Sequence, residues 1–174
     1  STPDAFMARQ FSNPANPLAH EEHTGPEIIA QAGADIDAFV AGVGTGGTLT
    51  GVGRALRAAG SEALLVAVEP DTSAVLSGKR PGPHRIQGIG SGFVPDVLDR
   101  ALISDVIAVG VDDAAATARR LATTEGIAVG ISGGANLYAA AELVRRLGRP
   151  KARIVTVLCD TGERYLSTFL YAAD

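Results

Sequence analysis

The feature that most constrains the fold is a glycine-rich turn between an apolar run and a helical pattern. The apolar run, Asp37 to Val43, has the length and composition of a buried strand. From Leu49 to Leu56 apolar residues recur at helical spacing, and Gly60 ends the pattern. The sequence therefore predicts a strand, a tight turn and a helix. The turn consists of Gly44, Thr45, Gly46, Gly47 and Thr48.

This turn has the composition of an anion site. A turn of this kind directs several backbone N–H groups and the positive end of the helix dipole at one point. Glycines let a ligand approach the backbone closely, and the hydroxyls of Thr45 and Thr48 add hydrogen-bond donors. A turn without a ligand would not need this many glycines and threonines. We therefore expect a phosphate group to bind here.

The same segment also matches a dinucleotide-binding fingerprint. Gly42, Gly44 and Gly47 have the spacing G-x-G-x-x-G, and Glu69 follows the next apolar run at roughly the distance of a ribose-binding acid. The turn alone leaves open whether the phosphate belongs to a nicotinamide dinucleotide or to something smaller. A NAD-dependent dehydrogenase domain is therefore one alternative.

Length and charge limit the other classes of function. The 174 residues fit a single α/β domain spanning 1–174, and a net charge of −4 without a basic cluster argues against nucleic acid as a partner. The single cysteine, Cys159, is compatible with a reducing compartment. We find no signal peptide and no apolar run of the ~18 residues that a membrane-spanning helix needs. From the sequence we therefore expect a cytoplasmic protein without membrane contact.

Strands and helices alternate along the rest of the chain. Apolar runs at 64–68, 105–109 and 153–158 predict strands, and helical patterns cover about 112–125 and 132–147. This alternation predicts an α/β fold, a three-layer αβα arrangement in which helices cover both faces of a mostly parallel sheet. Ligands of such folds bind beyond the carboxyl ends of the strands. The segments that fall there are the turn 44–48, the surroundings of Gly88, Ser132 and Asp160.

The segment 69–95 shows no periodicity. It contains turn-forming residues at 77–84 and a second glycine-dense run at 86–92. An irregular stretch of this length in a compact domain is usually functional or mobile. We favour a functional role.

The amino-terminal region contains start signals for two short helices. Asn16 is placed to cap the first, with Pro17 at its first position. Thr24 and Glu27 have the spacing of a capping box for a second helix that reaches about residue 32. His20 and His23 lie between these signals without a third ligand nearby. We therefore interpret both as solvated helix residues and expect no metal site.

Seven short motifs along the chain together resemble one enzyme family. They are QFSNPANP at 10–17, TGPE at 24–27, AGVGTGGTLTG at 41–51, VEP at 68–70, GPHRIQGIGSG at 82–92, GISGGA at 130–135 and DTGERYLST at 160–168. In this order they are similar to the cysteine synthases (O-acetylserine sulfhydrylases), pyridoxal-phosphate enzymes of the tryptophan-synthase-β fold type. The resemblance covers nearly all of this chain but only the carboxyl-terminal part of such an enzyme. Two positions depart from the pattern: Cys159, where proline is usual, and Gly133, where a second serine is common.

The resemblance implies roles for the predicted ligand contacts. The turn 44–48 would hold the phosphate of pyridoxal 5′-phosphate. Ser132 would hydrogen-bond the pyridine nitrogen, and a hydroxyl does not hold that nitrogen protonated, which suits β-elimination and replacement better than transamination. The backbone around Gly88 would contact the substrate amine. Gln10 would help to bind the substrate carboxylate.

The implied reaction is a β-replacement that makes L-cysteine from O-acetyl-L-serine and sulfide. Close alternatives keep the chemistry and change the substrates, as in an O-phosphoserine sulfhydrylase or a cystathionine β-synthase. The resemblance also implies a homodimer, and serine acetyltransferase as a candidate partner.

One element of the family has no counterpart in this chain. The lysine that carries the cofactor and removes the α-proton lies in the amino-terminal part of such enzymes. This chain has two lysines, Lys79 in a turn-rich segment and Lys151 before the last strand, and neither has the family's sequence context. We therefore expect the chain alone to be inactive. A truncated chain that binds a cofactor or a partner without turnover is a further alternative.

Overall fold

A four-stranded parallel sheet forms the centre of the computed structural model, which describes residues 3–172. The strand order is β3-β2-β1-β4, and each neighbouring pair is parallel, as the sequence predicts. The strands are β1 (Ala38–Gly42), β2 (Leu64–Pro70), β3 (Asp105–Val109) and β4 (Ile154–Thr156).

Helices precede and connect these strands. The α-helices are α1 (Ala15–Ala19), α2 (Gly25–Ala32), α3 (Gly47–Ala58), α4 (Val111–Glu125) and α5 (Ile131–Leu147). A π-helical turn (His20–Thr24) joins α1 to α2, and 3₁₀ turns occupy Asp71–Ser73, Arg100–Leu102 and Gly162–Tyr165. None of the helices between residues 3 and 172 has both the length and the apolar character needed to cross a membrane.

The sheet separates two apolar cores. Val40 and Val66 pack on one face with α4 and α5, where Ile131 is fully buried. Phe39 and Leu65 point to the opposite face and pack with α3. Successive strand residues alternate between the two cores because side chains along a strand have a period of two. The predicted three-layer αβα architecture is therefore confirmed.

The last strand is shorter than predicted. β4 ends at Thr156, whereas the apolar run continues to residue 158. The carbonyl oxygen of Val157 accepts a hydrogen bond from Asn136 Nδ2 of α5 (2.8 Å). This bond takes the place of a further ladder bond, and the chain leaves the sheet next to the start of α5.

The amino-terminal helix signals are wrong in detail. α2 begins directly after Thr24 and ends at residue 32 as expected, but Thr24 has helical backbone angles and makes no capping bond, because residues 15–32 form one continuous helical segment. Asn16 is not a cap either. The first N–H group of α1 is instead bound by Asn13 Oδ1 (3.0 Å). The segment packs closely against α3, and the side chains of Asn16 and His20 are used for contacts with Thr45 and Thr48 at the start of that helix.

Candidate functional site

Four separate segments meet in one cleft at the carboxyl edge of the sheet. The cleft has a volume of about 300 Å³. Its walls come from the turn 44–48 after β1, the loop 87–89, the start of α5 at Ser132 and the segment around Asp160 after β4. The structure thus brings together the positions that the sequence places at strand ends.

A larger groove lies at the opposite, amino-terminal edge of the sheet, with a volume of about 700 Å³. Charged side chains beside it are already paired: Asp37 with Arg149 (2.9 Å), and Asp35 with Arg153. Ligands of open parallel sheets bind beyond the carboxyl ends of the strands. We therefore take the smaller cleft as the candidate functional site.

The glycine-rich turn approaches its neighbours too closely for side chains. A Cβ atom on Gly44 would overlap the carbonyl oxygen of Gly88, and one on Gly46 would lie 2.8 Å from Leu98 Cβ. Gly46 also has a φ of +84°, in the left-handed region that favours glycine. It caps α3, whose first N–H groups have no intrahelical partners. The turn therefore presents backbone donors at the positive end of a helix.

The two threonine hydroxyls of the turn are contacted by the helical segment 15–32. Thr45 Oγ1 accepts a hydrogen bond from Asn16 Nδ2 (2.9 Å), and Thr48 Oγ1 lies 3.2 Å from His20 Nε2. His20 is therefore partly buried, and the interpretation of it as a solvated residue is wrong, whereas His23 is exposed. Sequence reasoning missed these two contacts. The only available signal was the spacing of four between positions 16 and 20, which places both on one helix face.

The loop 82–92 forms the wall opposite Ser132. The N–H of Gly90 and the hydroxyl of Ser91 donate to the carbonyl oxygens of residues 43 and 44 (2.9 and 2.7 Å). These bonds fix the loop against the end of β1. A Cβ atom on Gly88 would lie 3.7 Å from Ser132 Oγ. The absence of a side chain at position 88 therefore leaves space above the serine hydroxyl.

Ser132 and Cys159 form the floor of the cleft. Ser132 lies in the first turn of α5 and is only 4% exposed. Cys159 is exposed as a residue, but partial desolvation of its thiol and the nearby Asp160 raise its pKa, an effect that hydrogen bonds from Ser132 and Asn136 oppose. The thiol is therefore protonated at neutral pH and is not an activated nucleophile.

Asp160 is the carboxylate that lines the cleft, and Tyr165 binds it. The Tyr165 hydroxyl donates to Asp160 Oδ2 (2.6 Å), while Asp160 Oδ1 is buried and has no hydrogen-bond partner among the described residues. Desolvation first, and then the adjacent carboxylate, raise the pKa of Tyr165 to about 12. The sequence placed Asp160 at a strand end but gave no sign of this pair.

The tyrosine supplies a first testable prediction. We expect the Tyr165 phenol to ionise with a pKa of about 12, and Asp160→Asn to lower this pKa because it removes the neighbouring negative charge. The folded pKa lies above the unfolded value of ~10. The phenol's contribution to stability is thus complete below pH ~10 and declines as the pH rises towards ~12. Phenolate absorbance, with Tyr165→Phe to assign the signal, measures the midpoint, and a wild-type midpoint near ~10 would contradict the prediction.

The dinucleotide alternative is not supported by the surroundings of Glu69. This carboxylate is only 2% exposed and accepts bonds from the backbone N–H of Leu76 (2.7 Å) and from the N–H and hydroxyl of Ser77 (3.1 and 2.6 Å). Its oxygens hold the start of the loop that follows β2. They are therefore not placed to bind a ribose.

Three predicted or considered residues lie outside the cleft. Gln10 is exposed, and its carbonyl oxygen accepts a bond from Asn16 Nδ2 (2.8 Å). Lys79 and Lys151 are also exposed and do not line the cleft. Within residues 3–172, no group of three or more His, Cys, Asp or Glu side chains is arranged to hold a metal ion.

Comparison with known proteins identifies the family. Residues 1–160 match the family profile described as pyridoxal-phosphate dependent enzyme. A cysteine synthase of Staphylococcus aureus (strain N315) is 52% identical over 170 residues, 97% of this chain and 54% of that protein. The O-acetyl serine sulfhydrylase isoform 3 of Entamoeba histolytica has a TM-score of 0.91 and 43% identity, over 95% of this chain and 49% of that one. An O-acetylserine dependent cystathionine beta-synthase from Helicobacter pylori has a TM-score of 0.91 and 36% identity, over 98% and 55% of the two chains.

These matches confirm the resemblance to cysteine synthases and the expected fold type. The chain spans about half the length of the relatives it matches. Sequence and fold agree over nearly the whole of this chain, so the similarity does not rest on the glycine-rich turn alone. Because the family profile covers residues 1–160 of 174, the chain belongs to the pyridoxal-phosphate-dependent enzymes.

Proposed function

We propose that this chain is the cofactor-binding part of an enzyme that makes L-cysteine from O-acetyl-L-serine and sulfide by β-replacement. The observation that carries the proposal is the single cleft shared by a phosphate-type turn and a buried serine hydroxyl. Identity of 52% to a cysteine synthase over 97% of the chain supports the choice of substrates. In this proposal residues 1–174 form one α/β unit, and the lysine-bearing part of the enzyme is a separate portion.

The residues of the cleft fit the two ends of pyridoxal 5′-phosphate. The turn 44–48 offers backbone and hydroxyl donors to the phosphate, and the missing Cβ of Gly44 lets the turn pack against the carbonyl oxygen of Gly88 on the opposite wall. Ser132 offers a buried hydroxyl to the ring nitrogen. The cofactor, when bound, supplies an electron sink for the α-carbon of an amino acid.

The protein group that contacts the ring nitrogen would determine how strongly the bound cofactor withdraws electrons from the α-carbon. A serine hydroxyl donates a hydrogen bond to an unprotonated nitrogen but does not charge it. The ring nitrogen would therefore remain neutral, which favours β-elimination and replacement over transamination.

The substrate end of the cleft is formed in part by the backbone of Gly88, which we propose contacts the substrate amine; Gln10, which the resemblance places at the substrate carboxylate, lies outside the cleft. No Lys or Arg among residues 3–172 lines the cleft. Cystathionine synthesis is the second candidate, because the Helicobacter pylori enzyme of that name has the same fold with a TM-score of 0.91.

Replacing Ser132 with alanine in a complete enzyme tests the role of this hydroxyl. We expect turnover to fall by about tenfold, the effect of losing one hydrogen bond of ~1.5 kcal/mol to the ring, while the phosphate stays bound. Cysteine formation and cofactor absorbance are measured on the same samples, with the exposed Ser167→Ala as control. Loss of the cofactor, with normal turnover after reconstitution, would count against the assigned role.

We further propose a cytoplasmic homodimer that binds serine acetyltransferase. The resemblance to cysteine synthases is the support for this assembly. Light scattering on the complete enzyme, alone and with serine acetyltransferase, measures the masses of both complexes.

A further inference from the structure

Each of the two threonine hydroxyls of the glycine-rich turn is contacted by one side chain from outside the cleft. Asn16 Nδ2 donates to Thr45 Oγ1 (2.9 Å), and His20 Nε2 lies 3.2 Å from Thr48 Oγ1. Residues four apart on a helix share a face, so a single helix face supports both threonines. What these contacts do to the hydroxyl protons decides which ligands the turn accepts.

The acceptor positions of the first hydroxyl are filled. A hydroxyl has one proton to donate and two lone pairs that accept. Thr45 Oγ1 accepts from Asn16 Nδ2 (2.9 Å) and also from the N–H of Gly47 (3.2 Å). The hydroxyl proton of Thr45 is therefore the part left for a ligand. A ligand at this position must be an acceptor.

The second hydroxyl depends on the tautomer of His20. The other ring nitrogen, Nδ1, lies 3.0 Å from Thr24 Oγ1. A neutral imidazole has one N–H group and one lone pair. If Nε2 carries the proton, it donates to Thr48 while Thr24 donates to Nδ1, and the Thr48 proton remains for the cleft. If Nδ1 carries the proton, Thr48 must donate to His20 instead.

Close packing against α3 holds the His20 ring between Thr24 and Thr48. His20 begins the π-helical turn, and a Cβ atom on Gly51 of α3 would lie 2.6 Å from His20 Cβ. The two helices can approach this closely because position 51 has no side chain. Burial lowers the pKa of His20, which keeps the ring neutral near pH 7. π-Helical turns inside helices often occur at functional sites.

We propose that Asn16 and His20 are positioning residues that commit the Thr45 and Thr48 hydroxyls to donating. The turn then accepts an anionic oxygen, as in a phosphate group, and binding of the anion selects the His20 tautomer protonated at Nε2. This inference rests on the proposed function, in which the turn holds the cofactor phosphate. It adds a hydrogen-bonded relay from Thr24 through His20 to Thr48 that ends at the ligand.

A pair of His20 variants tests the relay. Glutamine can place its terminal amide near the position of Nε2, facing Thr48, whereas asparagine reaches only the position of Nδ1, facing Thr24. We expect His20→Asn to weaken the binding of pyridoxal 5′-phosphate by about tenfold, and His20→Gln to stay within about threefold of wild type. Equilibrium dialysis measures this affinity, and competition with inorganic phosphate should show the same order of variants. Equal losses in both variants would overturn the proposal.

A second pair of variants tests Asn16. Asn16→Asp replaces the donor to Thr45 with an acceptor, which would draw the hydroxyl proton away from the cleft. Asn13→Asp is the matched control, because Asn13 Nδ2 also binds a backbone carbonyl oxygen, that of Ala8 (2.9 Å), but the side chain does not contact the turn. We expect an affinity loss of at least about tenfold for Asn16→Asp and little change for Asn13→Asp. Equal affinities would overturn the role of Asn16.

The tautomer of His20 gives a readout that a purely structural role would not change. Nitrogen NMR of the labelled chain distinguishes the two ring nitrogens before and after addition of pyridoxal 5′-phosphate. We expect the proton at Nε2 in the bound state. A proton at Nδ1 with the ligand bound would overturn the proposal and leave the proposed function intact. Failure of the wild-type chain to bind the ligand at all would overturn both.

Discussion

Replacing Gly46 with valine is expected to reduce the affinity for pyridoxal 5′-phosphate by about 100-fold. Gly46 has a φ of +84°, where a β-branched residue is strained, and a new Cβ would lie 2.8 Å from Leu98 Cβ. The turn would have to open, and about two hydrogen bonds to the phosphate would be lost at ~1.5 kcal/mol each. Equilibrium dialysis with the purified chain measures the change.

A second glycine provides the control for strain. Gly60 has a φ of +76° just after the other end of α3, and a Cβ atom there would meet nothing within 4 Å. Gly60→Val should therefore lower the melting temperature through backbone strain and leave the cofactor affinity unchanged. Unchanged affinity in Gly46→Val would refute the phosphate assignment. An equal loss in both variants would indicate general destabilisation instead.

The 174-residue chain tested alone is expected to form no detectable L-cysteine. The proposed β-replacement needs an amine that both carries the cofactor and removes the α-proton, as the resemblance to cysteine synthases implies. Both lysines of this chain are exposed and lie outside the cleft. An error of ~1 Å in the position of such a group can lower the rate by a factor of ~100, so a distant lysine cannot serve.

Complementation gives this prediction its control. The chain is incubated with pyridoxal 5′-phosphate, O-acetylserine and sulfide, and cysteine is measured with and without the amino-terminal portion of a related cysteine synthase. We expect activity only when that portion is added, and equal activity from the double variant Lys79→Ala, Lys151→Ala. Turnover by the lone double variant would refute the need for an external lysine.

Much of the fold could be predicted because it depends on local patterns. β3 matches its predicted bounds, 105–109, and the strand, turn and helix at 37–60 lie where the apolar spacing places them. These elements are encoded by the periodicity of neighbouring residues, which needs no knowledge of distant contacts. The sequence predicted the position of the last strand but not its length, because the carbonyl oxygen of Val157 accepts a bond from Asn136 of α5.

The surroundings of Glu69 show where local patterns mislead. Its position after a strand fits a ribose-binding acid, but three donors from residues 76 and 77 occupy the carboxylate. The capping signal at Thr24 fails in a similar way, because its hydroxyl lies 3.0 Å from His20 Nδ1 in the middle of a helical segment. In both cases the side chain bonds a partner four to eight residues away in the chain instead of the expected one.

The sequence by itself determined the parallel αβα architecture and the family resemblance, and it predicted that the turn 44–48 binds an anion. These follow from residue spacing and from the restricted set of residues that such a turn tolerates. Only the tertiary structure decided that Asn16 and His20 support the two threonine hydroxyls, across separations of 29 and 28 residues. The tertiary structure also decided that the Tyr165 hydroxyl donates a hydrogen bond to Asp160 beside the cleft. Hydrogen bonds between separate segments depend on how helices and loops pack against the sheet, and that packing leaves no periodic signal in the chain.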